Sequence, residues 1–273
     1  MIRIEQTEVV GWEAAIRGMR NPMNSWDKSD SHVCYCMVDK FDECPMFEED
    51  HEPAAECNDG KFGFCIGVND MKLMKKLAKA GTDHRKFLRM IVVYCDITAP
   101  LYWWKEYDTY KVGTVANSCS TMHKIHEKRL TMDDFSHEKL VNELLTEIEP
   151  GVVATLNIQS TNMLMLTIGV LNAAREMFLK TKDKKYWETM IQLLPTSYNQ
   201  KRTVMLNYEV LSNIYKSRKN HKLDEWRELC RWIESLPYSG LITGKEGEAD
   251  GKPEDHEGDC EANSGGIPVL PEQ

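Results

Sequence analysis

Long apolar runs are missing from this sequence of 273 residues. None approaches the roughly 20 consecutive apolar residues that a membrane-spanning helix needs. The first residues, MIRIEQTEVVGWEAAIRG, also lack the apolar core and the cleavage pattern of a secretory signal. We therefore expect a cytoplasmic protein that has no membrane partner.

The sequence also lacks a C-x-x-C pair, although it contains nine cysteines. Five of these cysteines lie in one stretch that also holds His32 and His51. Structural zinc sites usually take two ligands from one tight knuckle, and this spacing offers none. We expect reduced thiols and no metal.

No basic stripe of the kind that binds nucleic acid is present, so no nucleic-acid partner is expected. The net charge is −9, but the acids are concentrated. Residues 39–59 carry nine acids and one lysine, and residues 245–273 carry nine acids and two lysines, so the remainder has a charge of +6. A mildly basic body suits a protein that binds phosphate-bearing small molecules, and simple solvation explains the balance equally well.

The order of the predicted elements indicates an α+β protein with one domain over residues 1–239. A strand is predicted for FLRMIVVYCDIT, and short strands for HVCYCMV and KFGFCIGV. An acidic, loop-rich insertion occupies about residues 21–63. Residues 240–273 lack apolar periodicity and are rich in Gly, Glu and Asp, which predicts a disordered acidic tail.

The second half of the chain is predicted to be mostly helical. Earlier in the chain, Asp70 is predicted to cap a helix over MKLMKKLAKA that stops at Gly81. The later helical patterns are NMLMLTIGVLNAAREMFLK, KKYWETMIQLLP, QKRTVMLNYEVLSNIYKSR and LDEWRELCRWIESLP.

One of these helices has a polar group at each end of a single face. Asn207, Leu211, Ile214 and Arg218 are spaced at i, i+4, i+7 and i+11. A buried amide or guanidinium needs a partner. The stripe therefore meets either a ligand with hydrogen-bond acceptors or carboxylates of the protein itself.

Aromatic residues are concentrated in WWKEYDTYKVGTVANSCS, residues 103–120. Leu101, Trp104, Tyr107 and Tyr110 recur at helical spacing after Ala99-Pro100. Such a stripe packs in a core, or its rings stack on a flat heterocycle. The polar run from Lys111 to Ser120 can hold a phosphate or a polar ring edge. No Gly-rich phosphate loop and no G-x-S-x-G motif accompanies it.

Together these features resemble the flavin-dependent thymidylate synthases (ThyX). The family signature is Arg-His-Arg, then seven or eight residues, then Ser, with an Asn before that Ser. Here Thr109-Tyr110-Lys111 is followed by eight residues and Ser120, with Asn117 three positions before it. Upstream, the family has a His, a strand that ends in Ala-Pro and then the helix of the signature. His84, FLRMIVVYCDIT and Ala99-Pro100 match that order.

The resemblance continues downstream and covers residues 65 to 236. The family has Leu-Pro, a turn with a tyrosine, and a helix with two Asn and a late Arg. The matching residues here are Leu194-Pro195, Tyr198, Asn207, Asn213 and Arg218. The resemblance implies a single α+β domain with a central antiparallel sheet.

The resemblance also implies a reaction and its site. The family methylates dUMP reductively, with FAD as cofactor and with NADPH and methylenetetrahydrofolate as co-substrates. It is a homotetramer with sites at subunit interfaces. By position the cofactor site would contain His84, Tyr110, Lys111, Asn117, Asn207 and Asn213. The substrate site would contain Glu106, Ser120, Thr121 and Arg218, with Arg218 as the catalytic residue that polarises the pyrimidine.

Several family positions are substituted. The first Arg and the His of the signature are Thr109 and Tyr110, and the acid after the signature Asn is Ser118. Two phosphate-binding arginines fall at Met122 and Ile191, and a flavin-contacting arginine falls at Glu209. Arg202, His123 or Lys124 are candidates to replace the lost phosphate contacts.

Three hypotheses follow. The protein is an active ThyX-like enzyme with a rebuilt nucleotide site, or a ThyX-fold protein that has lost catalysis and binds a nucleotide or a partner. The third is an α+β interaction protein whose polar residues are structural. The adjacent Trp103 and Trp104 suggest a second apolar face on their helix, which would suit a subunit contact.

Overall fold

The computed structural model describes residues 2–33, 64–141, 144–147 and 156–245. Most of the predicted acidic insertion and the tail from residue 246 lie outside these described residues. Of the predicted strands, HVCYCMV is described only at its first two residues, and KFGFCIGV is described from Phe64 onward. There, β2 (His32–Val33) pairs antiparallel with β3 (Phe64–Cys65).

A four-stranded antiparallel sheet forms the centre of the fold, which confirms the expected central antiparallel sheet. Its order is β1-β4-β8-β5. The strands are β1 (Arg3–Val10), β4 (Val92–Pro100), β5 (Val115–Ser118) and β8 (Asn199–Asn207). The backbones of β6 (Leu144–Glu147) and β7 (Leu156–Gln159) form a separate antiparallel pair.

Helices pack on one face of the sheet, and they predominate in the second half of the chain, as predicted. None of the helices in the described part combines the length and the apolar character that a membrane crossing requires. The helices are α1 (Trp12–Arg20), α2 (Val68–Lys79), α3 (Leu101–Tyr107), α4 (Ser160–Thr181), α5 (Lys184–Leu193), α6 (Tyr208–Arg218), α7 (Asp224–Glu234) and α8 (Gly240–Thr243).

The prediction of one helix over QKRTVMLNYEVLSNIYKSR was wrong in its first half. Residues up to Asn207 form β8, and the helix begins at Tyr208. Gln200, Val204 and Leu206 alternate inward along the strand, a period of two that suits a sheet with one buried face. Asn207 is therefore the N-cap of α6 with an extended backbone, and only Leu211, Ile214 and Arg218 of the predicted stripe lie within the helix.

Two other boundaries differ from the prediction. The strand FLRMIVVYCDIT begins only at Val92, because Arg85–Arg89 forms a 3-10 helix that buries Phe87 and Leu88. Asp70 does not cap α2, which starts at Val68. Its first-turn amides are instead satisfied by Asp30, whose carboxylate accepts from the backbone N–H groups of residues 69 and 70.

The main core lies between the sheet and α3, α6 and α7, and α3 is buried on both sides. Trp103 stacks on Tyr107 and packs against Trp226 of α7, with ring centroids 5.2 and 4.8 Å apart. Trp104 faces the sheet, where its Nε1 donates to the Gln200 carbonyl at 2.9 Å. Trp103 and Trp104 therefore do not offer the apolar face that we expected to suit a subunit contact, since one chain buries both.

A second core joins α4 and α5 to the loop after β5. Asn172 of α4 is buried, and its side-chain amide exchanges two hydrogen bonds of 2.9 Å with the backbone of Leu130. Trp187 of α5 donates to the Met122 carbonyl at 2.7 Å. These bonds fix the position of the loop that carries Ser120.

The predicted start of the tail, Gly240, lies inside the folded body. Leu241 and Ile242 of α8 are buried, and the Ile242 carbonyl accepts from Ser212 of α6 at 3.0 Å. Lys245 donates to Glu234 at 2.6 Å. Two apolar residues are too few to produce a periodic pattern, so the sequence did not predict this short helix.

A buried carboxylate ties α2 to the N-terminal part of the chain. Asp70 is fully buried and accepts from Arg20 at 2.6 Å and from Ser29 and Ser31 at 2.7 Å. Burial alone would raise the pKa of Asp70, but the bonds from Ser31, Ser29 and Arg20 outweigh it and hold that pKa below its usual range.

We expect Asp70→Asn to lower the free energy of unfolding at pH 7 by about 3–5 kcal/mol, because Arg20 is left buried without its counter-charge. Since the folded-state pKa of Asp70 lies below the unfolded one, its contribution is present above about pH 4 and is lost as the pH falls through the folded pKa. Urea titrations across this pH range should therefore converge for the two proteins under acidic conditions.

Asp27→Asn is the matched control, because Asp27 is exposed in the same region. Its effect should stay within about 0.5 kcal/mol. Equal, small effects of both substitutions would show that the buried network is not important for stability.

Candidate active site

Glu106 lies at the centre of a polar cluster formed by three helices. Its Oε2 accepts from Arg218 at 3.1 Å and from Trp226 Nε1 at 2.8 Å. Arg218 Nε donates to the Tyr110 hydroxyl at 3.0 Å, and His221 Nε2 lies 3.7 Å from Glu106. We call Glu106, Tyr110, Arg218, His221 and Trp226 the Glu106 cluster.

Local sequence explains why these side chains meet. Glu106 is in the last turn of α3, one turn after the buried Trp103, so both side chains face Trp226 of α7. Arg218 ends α6, below the buried Leu211 and Ile214 of the same face. The structure thus brings together three of the predicted site residues, Glu106, Tyr110 and Arg218.

The guanidinium of Arg218 is oriented by two partners but keeps N–H donors that are not bonded to them. Its guanidinium lies 4.6 Å from the centre of the Trp226 ring, and its side chain is 21% exposed. Of the five N–H donors of a guanidinium, two are bonded to Tyr110 and Glu106. The other three have no partner among the described residues. A ligand with carbonyl or anionic oxygens can therefore reach a preoriented donor.

The side-chain amide of Asn207 makes hydrogen bonds within the fold. Its Oδ1 accepts from the Val210 backbone N–H at 3.0 Å, and its Nδ2 donates to the Gly113 carbonyl at 3.5 Å. Gly113 has φ +77°, and a Cβ there would lie 2.8 Å from Asn207 Nδ2. A glycine is thus needed where the loop after α3 meets the start of α6.

Glu209, where the family has an arginine, is the centre of a second ion-pair group. Its carboxylate bonds Arg85 at 3.3 Å and also pairs with Arg89. Burial opposes its ionisation, but Arg89 and Arg85 outweigh burial and hold the pKa of Glu209 below its usual range. Arg85 also donates to Asn213 Oδ1 at 3.3 Å, and the exposed His84 precedes this group.

The structure places Asn117 on the opposite face of the sheet. Asn117 of β5 pairs with Thr203 of β8, and Thr203 donates to Asp96 of β4 at 2.6 Å. The neighbouring Arg202 lies over the Trp104 ring, 4.1 Å from its centre, on the α3 face. Because side chains alternate along a strand, Asn117 and Thr203 face away from α3 and the Glu106 cluster.

Ser120 and Thr121 lie in the loop that follows β5. Ser120 Oγ accepts from the His123 backbone N–H at 2.9 Å, which stabilises the turn. Thr121 is half-buried, and Lys111 is exposed in the tight turn before Gly113. Among the described residues, no group of histidine, cysteine and acidic side chains is placed to hold a metal ion.

Two residues of the Glu106 cluster were not predicted from sequence. Trp226 reads as an ordinary apolar residue of an amphipathic helix, and only its indole N–H reveals a polar role. His221 sits just before α7, where its Nδ1 accepts from the Leu223 backbone N–H at 3.2 Å. Neither has a spacing signal that would point to α3.

The described chain has the α+β fold of ThyX enzymes, as comparison with solved structures shows. A flavin-dependent thymidylate synthase ThyX from Helicobacter pylori, complexed with FAD and dUMP, is similar with a TM-score of 0.55 and 14% identity, covering 89% of this chain and 98% of that chain. A second structure of that enzyme with FAD and dUMP has a TM-score of 0.56.

A UMP/dUMP methylase, PolB from Streptomyces cacaoi, bound with 5-Br dUMP, is also similar. Its TM-score is 0.51 at 11% identity, covering 89% of this chain and 95% of that chain. No protein-family model matches the sequence. No curated protein matches it either. At these identities the likeness establishes the fold.

We expect the Glu106–Arg218 pair to contribute little to stability. Both side chains are partly exposed, at 39% and 21%, where an ion pair is worth about 1 kcal/mol or less. A double-mutant cycle with Glu106→Gln and Arg218→Gln, followed by urea unfolding, measures their coupling.

The exposed pair Lys184–Glu188, with a 2.9 Å separation on α5, provides the reference cycle. A coupling for Glu106–Arg218 above about 2 kcal/mol would contradict the expectation and would assign the pair to the stability of the fold.

Proposed function

We propose that this protein methylates a pyrimidine nucleotide, converting dUMP to dTMP or performing a related reaction. FAD would be its cofactor, with methylenetetrahydrofolate as carbon donor and NADPH as reductant. The proposal rests on the fold shared with enzymes crystallised with FAD and dUMP and on the Glu106 cluster. A cytoplasmic location fits these soluble co-substrates.

The observation that carries the proposal is the state of Arg218. Its guanidinium is oriented by Tyr110 and Glu106 and keeps N–H donors for a ligand. When a nucleophile or hydride adds to the ring of a uracil nucleotide, negative charge develops on a carbonyl oxygen attached to that ring. A preoriented donor there is worth roughly 3–4 kcal/mol of transition-state stabilisation. Arg218 is therefore the proposed catalytic residue, with Glu106, Ser120 and Thr121 beside the substrate.

The residues proposed for the cofactor fit FAD only in part. His84, Lys111 and Asn117 are exposed polar groups, and the Nδ2 of Asn213 has no partner among the described residues. Asn207 already uses its amide within the fold. A flavin bound there would supply the hydride-transfer chemistry, while the protein supplies contacts and orientation.

Candidate site residues lie on opposite faces of the sheet, which supports a site built from more than one copy of the chain. Asn117 faces away from the Glu106 cluster, so the two groups do not converge on one small ligand within a single chain. Subunits arranged around a shared site would let Asn117 of one copy approach Arg218 of another. We propose a homotetramer of four 31.5 kDa chains.

The surface of α4 offers a place for such an association. Large apolar side chains are exposed along this helix between 39% and 60%, far more than one side of a surface helix normally leaves uncovered. They are Met163, Met165, Leu166, Val170 and Met177.

A second candidate is a ThyX-fold protein that binds a nucleotide or a partner without methylating it. The ion pairs of the substituted positions favour it. Glu209 stands where the ThyX pattern has a cation and pairs with both Arg85 and Arg89, and Arg202 pairs with Asp108 at 2.7 Å. Lys124 is likewise paired with Glu127. A nucleotide phosphate would have to displace an internal carboxylate to reach these cations.

Purified protein incubated with FAD is expected to retain flavin, seen as absorbance between about 350 and 500 nm, and then to bind dUMP. Arg218→Lys keeps the charge but loses the planar fork. It should keep the flavin and lose dUMP affinity or turnover by roughly 100-fold or more. Absorbance spectra, dUMP titrations and deuterium release from labelled dUMP measure the three effects.

Lys219→Arg is the control, since Lys219 is the exposed neighbour of Arg218. Flavin and dUMP binding without turnover would select the second candidate. A colourless protein, or an Arg218→Lys variant that melts lower but binds dUMP normally, would refute the proposed site.

For the oligomer, we expect light scattering at micromolar concentration to give the mass of four chains. Leu166→Glu should dissociate the assembly, because Leu166 is 60% exposed in a single chain and a buried carboxylate would be costly. Val68→Glu changes a similarly exposed residue of α2 and should leave the mass unchanged. A monomeric parent protein would exclude both the tetramer and a shared site.

A further inference from the structure

A basic cavity lies between α2, α6, α8 and the 3-10 helix Arg85–Arg89. Its volume is about 310 Å³, at the lower end of pockets that hold small ligands. Five cationic side chains line it, and none of its described lining residues is acidic. The cationic residues are Lys75, Lys79, Arg85, Lys216 and Lys245.

Internal carboxylates balance only part of this charge. Arg85 bonds Glu209, and Lys245 bonds Glu234. Lys75 and Lys216 make no ion pair with any described residue. Like charges that are gathered around a concave surface repel one another and raise the local positive potential. An anion in the cavity removes this repulsion.

The floor of the cavity is apolar and carries hydroxyl groups. Leu88, Leu241 and Ile242 are buried there, and Ser212 and Thr243 complete the lining. Ser212 donates its proton to the Ile242 carbonyl, so its oxygen remains an acceptor toward the cavity. Cations at the rim above an apolar floor suit a molecule with an anionic head and a less polar body.

The cavity is separate from the Glu106 cluster. Ser212 and Lys216 lie one turn apart on α6, and Arg218 lies about 200° around the helix from Lys216. The cavity therefore opens on another side of α6.

The helix dipole accounts for the positions of two of the cations even if no ligand binds. Lys79 and Lys216 are in the last turns of their helices, where a cation is favourable. The helix dipole does not explain Lys75, which lies earlier in α2.

We propose that this cavity binds a small molecule that carries a phosphate or diphosphate group. It would be a second ligand site, independent of the pyrimidine site proposed above. Lys75 and Lys216, which have no ion-pair partner among the described residues, would contact the phosphate oxygens. Glu209 would hold Arg85 nearby, and Glu234 would hold Lys245 nearby.

Isothermal titration of the full chain with inorganic pyrophosphate, and separately with AMP, tests the proposal at constant ionic strength. Lys75→Gln/Lys216→Gln should weaken binding by roughly tenfold or more, because two charge-assisted contacts are lost. Lys72→Gln/Lys180→Gln removes the same charge from exposed residues outside the cavity and should bind as the parent does. Tighter binding of AMP than pyrophosphate would identify a nucleotide-like ligand, and the reverse a bare phosphate group.

Equal weakening in both variants would overturn the proposal in favour of a general charge effect. No binding by the parent chain would also overturn it. If binding appears only after Glu254, Asp255, Glu257 and Asp259 are changed to amides, the occupant is the chain's own acidic segment and not a small molecule. Titration of the cavity variant with FAD and dUMP separates the two sites, because it should match the parent.

Discussion

The nine-residue pairing of β4 with β8 is the constraint on which the candidate site depends. Its register runs from Val92 opposite Asn207 to Pro100 opposite Asn199. Each strand leads directly into a helix, so α3 and α6 start at opposite ends of a pair about 30 Å long. Helices of seven and eleven residues rise about 10 and 16 Å. Their last turns consequently meet, and this is where Glu106 bonds Arg218. A slip of one residue in the register would turn the inward side chains of β8 outward.

Periodicity in the sequence predicted the α+β class and most helices, because long segments such as α4 and α7 have a clear local pattern, and the resemblance to ThyX implied the antiparallel sheet. Sequence reasoning failed where a residue serves a distant partner. Asp70 looks like a helix cap, yet its carboxylate is used by Arg20, fifty positions away. Asn207 looked like part of a helix, because nothing local separates a buried β-strand that runs straight into a helix from one continuous helix. In the candidate site, helical spacing pointed to Arg218, and the resemblance to ThyX pointed to Glu106. Spacing could not reveal Trp226, whose contribution is one N–H.

Two of the positions that differ from the ThyX pattern take part in contacts within the fold. Glu209 holds Arg85 and Arg89, and Tyr110 holds Arg218. At both positions the side chain contacts a neighbouring arginine of the same chain. The same rule of satisfied polar groups thus shapes both the stability and the chemistry of this surface. Among the described residues, few groups remain available to a ligand: the spare N–H donors of Arg218, the exposed groups around Asn117, and Lys75 and Lys216 of the basic cavity.

The short edge strand β5 has a consequence for how the protein moves. All four of its residues are exposed, and it pairs only with β8 among the described strands. Its backbone amides therefore open to solvent at a lower free energy than those of β4, which is paired on both sides. Since β5 carries Asn117 and leads into Ser120, a molecule bound here must also hold the strand in place. Part of its binding free energy is spent on that ordering, and amide exchange in β5 would report occupancy of the site even where no chemical step takes place.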